Sequence, residues 1–238
     1  MTLHSEKASF LGDSNFPAYA VSQSKGKKIK LLQDLYKQYS NKKLSFPKDR
    51  PVAIKGLETR LIQTVGGKGG YGVFQEFLHR YLLWQRGKKP LERIEEFSGG
   101  PVPSWSWMAW NGGIEYMPDI PGGAVDWDPK VTWPCPPIRT GSDHENSESL
   151  YLHAPVRDFS SGSCDGIVLD EGATQLPPGS KCVVLGVAKS EKNCYVLAVM
   201  KSKHTGGKNS SIWQRIGAGK VSRGSVALDK ASSWGDIC

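Results

Sequence analysis

Apolar positions change their period near residue 98. Residues 1–25 show no periodicity and read as a loose lead-in. Over 27–40, KKIKLLQDLYKQYS, the residues Ile29, Leu32, Tyr36 and Tyr39 recur at the 3, 4, 3 spacing of one helical face, flanked by Leu31 and Leu35. Ser40-Asn41 is a stop. In the following SFPKDRPVAIKGLETRLIQTVGG, Asp49 is placed to cap a second helix. Pro51 falls in its first turn, where a missing amide donor does no harm. Ala53, Ile54, Leu57 and Leu61 form the predicted buried stripe, and Gly66-Gly67 ends the helix. GGKGGYG reads as a flexible joint. Over 73–87, the residues Phe74, Phe77, Leu78, Tyr81 and Leu82 predict a third helix, closed by Gly87. Residues 26–97 are thus a helical part.

Past residue 98 the alternation of strands takes over. SWSWMAW and IEYM alternate on either side of Asn111-Gly112-Gly113, which predicts a β-hairpin. Residues 118–148 are proline-rich, acidic and aperiodic, and read as a long loop. SLYLHAPVRDF and GIVLDE read as strands. KCVVLGVAK and NCYVLAVMKSK are the strongest strand signals, joined by a turn at Ser190-Glu191-Lys192, and IWQRIGAGKVS is a last strand after the turn HTGGKNSS. The predicted fold class is α+β: an N-terminal three-helix layer packed on a mainly antiparallel β-sheet or sandwich, with 98–238 as the β-rich part.

Composition narrows the function classes. The 238 residues carry a formal net charge of +8. Residues 1–97 hold 18 Lys and Arg against 9 Asp and Glu, whereas 118–148 hold 2 against 6. A basic half invites a nucleic-acid reading. The lysines come singly or in pairs, however, with no aromatic interleaving, which argues for a solvated surface and against nucleic acid as a partner. Cys135, Cys164, Cys182, Cys194 and Cys238 form no CxxC pair, so no zinc signature is present. The N-terminus lacks the apolar stretch of a secretion signal, and no window is apolar enough to span a membrane. The expectation is a reduced, cytoplasmic protein without a membrane span.

Few residues suggest chemistry. GGKGG at 66–70 follows a helix and lacks the Gly-Lys-Ser/Thr of a phosphate loop. RIGAGKVSRG contains a GxG without the third glycine and helix of a dinucleotide site, and a glycine pair in a strand marks a bulge or a close backbone approach. Asp143, His144 and Glu145, with His153 nearby, lack the fixed spacing of a metal site. The remaining histidines, His4, His79 and His204, stand in polar or helical contexts, and no serine lies in a GxSxG. No catalytic, cofactor-binding or metal-binding residue is assigned.

Three tryptophans crowd PVPSWSWMAWNGGIEYM, residues 101–117. In an extended chain Trp105 and Trp107 share a face, and Ser104 and Ser106 share the other. Apolar Val102, Met108 and Ile114 surround them, which favours a core over a ligand platform. Trp110 has the opposite parity and is the candidate for a surface contact.

The order of segments resembles a known family. YSNKKLSFPKDRPVAIKGLETRL, then a segment ending YLLWQRG, then PSWSWMAW, is similar to the region downstream of the HET domain in fungal heterokaryon-incompatibility (HET) proteins. The matching positions are Tyr39, Ser40, Lys43, Leu44, Ser45, Pro47, Asp49, Ala53, Gly56 and Leu57, then Leu82, Leu83 and Trp84, then Pro103, Ser104, Trp105, Ser106 and Trp107. YVLAVMKS and SIWQRIGAGKV resemble the family's late strand pair, which ends in an arginine-(valine or isoleucine)-glycine segment. The likeness covers roughly residues 36–225. The family's HET domain, with its SYxWG-, WIDxxCIxQ- and RxWxxQE-like stretches, has no counterpart here, and the family's GLW-like triplet is not matched. The resemblance implies a non-catalytic C-terminal regulatory or recognition region, either a fragment or a stand-alone paralogue. It would act in fungal nonself recognition and programmed cell death, with an effector (HET-type) domain in cis or trans, or another protein, as partner. A basic nucleic-acid-binding module and an enzyme with an unrecognised site stay open beside it.

Overall fold

The structure is a computed structural model and describes residues 22–65, 67–118, 120–134, 150–160, 165–190, 192–202, 212–230 and 232–238. It has both helices and strands, an α+β chain. Helix α1 (Lys25–Ser40) buries Ile29, Leu32, Leu35 and Tyr36, the face that its apolar spacing marks, and stops at Asn41. Helix α2 (Arg50–Val65) follows a single 3-10 turn at Pro47–Asp49. Asp49 lies inside that turn and caps nothing; its carboxylate instead accepts from the Ser98 hydroxyl at 2.6 Å. The buried face of α2 is Arg50, Ile54, Leu61 and Ile62. Ala53, expected in the stripe, is exposed, and Leu57 is half-buried, because only a narrow strip of this helix meets the rest of the molecule.

The third helix expected over 73–87 is not one helix. Strands β1 (Gly69–Gly70) and β2 (Val73–Phe74) make a tight antiparallel hairpin where a flexible joint was expected. A 3-10 turn (Gln75–Phe77), a four-residue helix α3 (Leu78–Tyr81) and strand β3 (Trp84–Arg86) follow. The reason is burial. Phe74, Phe77, Leu78, Tyr81, Leu82, Leu83 and Trp84 are all hidden, the last four consecutively, which is more than one face of a helix can cover, so tertiary packing overrides the periodicity.

Strands β4 (Glu92–Arg93), β5 (Trp110–Asn111) and β6 (Ile114–Tyr116) correct the expected hairpin. The turn at 111–113 exists, with Gly112 at a φ of 133°. Yet β5 pairs with β4, and β6 pairs with β3. Each side of the turn is claimed by earlier chain. Strand β7 (Val125–Trp127) falls within the expected loop 118–148 and pairs with the end of a later strand. Residues 135–149, and with them Asp143, His144 and Glu145, lie outside the described residues, as do the HTGGKNSS turn and Glu191.

Six further strands complete the fold: β8 (Leu152–Asp158), β9 (Ile167–Leu169), β10 (Lys181–Ala188), β11 (Asn193–Lys201), β12 (Ile212–Ser222) and β13 (Ser233–Ile237). Pairing runs β8–β10–β11–β12–β13 and back to β8, a closed ring with one parallel pair, β12 and β13. Closure removes the exposed edges of these strands. Strand β9 adds to β12, and β7 adds to β10. A Cβ on Gly217 would meet the Val168 carbonyl, and one on Gly219 the Gly166 carbonyl. The glycine pair of RIGAGK therefore marks a close backbone approach.

Strands β10 and β11 are covered on both faces. Val183, Leu185, Tyr195, Leu197 and Val199 join the main core, which reaches from Ile29 in α1 to Ile237 in β13. Cys182, Val184, Cys194 and Val196 form a second, smaller core with Val221 and Val226. Burial on both faces explains why these strands read as apolar runs without alternation. Among the described residues, no helix is long and apolar enough to cross a membrane.

Candidate functional site

Two of the segments that carry the resemblance, the one holding Tyr39 and the one holding PSWSW, meet around Trp107. Tyr36 and Tyr39 from the end of α1 place their rings 5.4 and 6.0 Å from the Trp107 indole. The Arg50 guanidinium lies over the same indole at 6.0 Å. Arg50 is buried and donates to the Ser40 carbonyl at 3.2 Å. The Ser40 hydroxyl donates to the Lys37 carbonyl at 2.8 Å and accepts from the Ile114 N–H at 3.0 Å, which ties the end of α1 to β6. Burial pulls the Arg50 pKa down, opposed by Tyr39. Tyr39, Ser40 and Trp107 are thus one junction. Pro47 and Asp49 stand in the 3-10 turn that leads into it. Gly56 is exposed, with open space where a side chain would go, and Leu57 is half-buried against the main core.

PSWSW spends most of its polar groups on the fold, although the buried Trp107 indole N–H has no acceptor among the described residues. Pro103, Ser104, Trp105, Ser106 and Trp107 are all buried, on both sides of the chain. The Trp105 indole donates to the Leu150 carbonyl at 3.1 Å, and the Trp105 carbonyl accepts from the Trp84 indole at 2.8 Å. The Ser106 hydroxyl donates to the Tyr71 carbonyl at 2.7 Å and accepts from the Met108 N–H at 3.1 Å. Ser104 stitches the barrel. Its hydroxyl accepts from the Arg215 N–H at 2.8 Å and donates to the Cys238 carbonyl. Arg215 lies on β12 between the stretch that pairs β13 and the stretch that pairs β9, so one serine fills the gap that neither strand reaches.

Trp110, the candidate for a surface contact, is only 4% exposed, and it lines a cleft. Residues 107–109 wind as a 3-10 turn, which breaks the two-residue alternation on which its parity depended. Its indole donates back to the Ser104 carbonyl at 3.2 Å. The Arg93 guanidinium covers its ring at 5.3 Å, across the β4–β5 ladder where the two residues are partners.

Behind this junction a cleft of about 530 Å³ opens between the 93–97 arm, the PVPS loop, the β9–β10 connection and β12. Arg215 of its wall forms a fully buried ion pair with Asp170, Nε to Oδ2 at 3.0 Å and Nη2 to Oδ1 at 3.2 Å. Arg215 also donates to the Leu82 and Trp84 carbonyls at 2.7 and 2.5 Å and stacks 3.2 Å from the Trp84 ring. Burial pushes the Asp170 carboxyl up, and the neighbouring guanidinium opposes it. Arg93 lines the same cleft. It gives Nη2 to the Val102 carbonyl at a long 3.4 Å, and its Nη1 has no acceptor among the described residues. Burial lowers its pKa, against the nearby Cys238, Glu95, Asp170 and Glu171.

A second titratable group sits at the β1–β2 turn. Glu58 of α2 accepts from the Gly72 N–H at 2.6 Å, and burial raises its carboxyl to about 7. The His79 ring lies 2.8 Å from the Asp128 carbonyl and stacks on Trp127; burial lowers its pKa. His153 pairs with Asp236 across β8 and β13 at 2.5 Å. Cys182 and Cys194 are buried in the second core and Cys238 is half-buried at the cleft. Among the described residues, no group of His, Cys, Asp and Glu is placed to hold a metal ion.

Arg50, Glu58, Arg93 and Asp170 were not singled out from the sequence. The available signal was a charged residue within an apolar stretch, as in IWQRIGAG and GIVLDE. Comparison of the chain with family models, curated proteins and solved structures finds no match.

Proposed function

We propose that the chain is a non-catalytic recognition and regulatory region of the kind that follows the effector domain in HET proteins, acting in the cytoplasm in fungal nonself recognition and cell death. The observation that carries this reading is the junction. Tyr39, Ser40 and PSWSW are far apart in sequence, and their hydroxyls, carbonyls and indoles are largely engaged in fastening the helical part to the barrel. A motif used in this way supports the resemblance as a shared scaffold. Its partner is an effector domain of the HET type, in cis or in trans, held by surface contacts and thereby restrained.

The test is association and outcome together. Purified chain is mixed with a HET-type effector domain and run by size-exclusion chromatography, and the two are co-expressed in a fungal host. Co-elution, with a change in the death of host cells, is expected. Separate elution with unchanged lethality overturns the reading. Retention on nucleic acid that falls steeply with salt would favour the basic module instead.

A further inference from the structure

We infer that the cleft behind the tryptophan junction is a docking site for an extended peptide segment in which a basic residue sits between apolar ones. This rests on the recognition reading above and names the partner's chemistry. Four observations point there. First, about 530 Å³ is ample for a short stretch of chain. Second, much of the wall is apolar, with Phe97, Pro101, Trp110, Pro177 and Met200 among its residues. Third, Glu95 and Glu171 line the cleft, are exposed, and have no ion-pair partner among the described residues. Fourth, Arg93 offers a donor without an acceptor, shielded from water. Arg215, the other cation of the wall, is fully spent on Asp170 and two carbonyls.

The charges fix the ligand's polarity. With Arg215 and Asp170 neutralising each other, one arginine faces two glutamates, so the cleft favours a cation over an anion. Arg93 needs a neutral acceptor, and a peptide carbonyl supplies one. Its bond to Val102 is long at 3.4 Å, so the guanidinium can slide on the Trp110 ring and give that bond up for a better one.

The experiment uses two libraries of acetylated, amidated tripeptides, Xaa-Arg-Xaa and Xaa-Glu-Xaa, titrated into the whole chain labelled with nitrogen-15. The arginine library is expected to shift the Trp110 and Gln214 signals saturably, with a dissociation constant on the order of 0.1 mM, ordinary for so short a ligand. Arg93→Leu should weaken binding by about tenfold or more. The double variant Glu95→Gln/Glu171→Gln changes only exposed residues, so its fold is not at risk. It should weaken binding by roughly fivefold and remove its salt dependence. Equal binding of both libraries, binding of neither, or indifference to Glu95→Gln/Glu171→Gln overturns the proposal. If the tripeptides fail while an effector domain still co-elutes with the chain, the cleft assignment falls and the recognition reading survives. If both fail, both fall.

Discussion

Arg215 and Asp170 are each wholly buried, and each is the other's answer to the cost of desolvation. Arg215→Leu leaves a carboxylate in the interior and removes the donor to the Leu82 and Trp84 carbonyls. The expected cost is roughly 3–5 kcal/mol, read as a fall in the urea midpoint. Asp170→Leu should cost a similar amount. The double variant Arg215→Leu/Asp170→Leu should lose clearly less than the sum, because no uncompensated charge remains; additive losses would contradict the pairing. Ser104 depends on the same strand. Ser104→Ala strands the Arg215 N–H inside the wall and should cost about 1–3 kcal/mol, whereas Gly56→Ala, on an open helix surface, should be neutral or stabilising.

The β1–β2 hairpin is held at its tip by contacts from three sides. Tyr71 and Gly72 both adopt left-handed backbone, at φ 52° and 79°, and a Cβ on Gly72 would collide with the Trp107 indole. Gly72→Ala is therefore expected to cost roughly 2–4 kcal/mol in thermal or urea unfolding. Glu58 grips the same turn. Its folded pKa of about 7 lies above its ordinary 4.5, so the folded chain holds this proton to higher pH than the unfolded chain. The stability it contributes is full below about pH 4.5 and is lost as pH rises through about 7, by at most about 3 kcal/mol. Subtracting the stability–pH curve of Glu58→Gln should remove that slope; parallel curves would show that the carboxyl is not desolvated. None of this was legible in GGKGGYG, where a linker and a tight hairpin share the same glycines and the deciding contact, of Gly72 with Trp107, is far along the chain. By contrast α1, β10, β11 and β12 were legible, because a helical stripe carries its own period and apolar, β-branched runs of strand length between turns mark strands. Strand β13 was not: SWGDI has a single buried aliphatic residue and exists because β8 and β12 flank it. The cleft escaped for a related reason. Arg93 and Glu171 are ordinary surface letters until β4 and the β9–β10 connection bring them to one place.

The boundary near residue 98, where the apolar period changes, is not a place where the molecule can be cut. β3 and β4, from the helical side, are the ladder partners of β6 and β5. Arg215 of the barrel rests on the Leu82 and Trp84 carbonyls, the Gln85 amide donates to the Ala218 carbonyl at 2.8 Å, and Arg86 donates to the Leu169 carbonyl at 2.9 Å. The main core crosses the boundary without a break, from α1 through Trp84, Trp105 and Trp107 to Val199 and Ile237. A chain whose two parts share one core unfolds in one step. We therefore expect the far-ultraviolet helical signal and the near-ultraviolet tryptophan signal of the whole chain to disappear in coincident urea transitions. A fragment of residues 98–238 should lack dispersed amide resonances, even though it holds every strand of the closed ring, because its Arg215–Asp170 pair, its β12–β9 face and the back of PSWSW would all lose partners from residues 82–93. Supplying residues 22–97 in trans should restore dispersion. A fragment 98–238 that gave a dispersed spectrum by itself would mean that the barrel folds first and alone, and that the tryptophan junction joins two independent units.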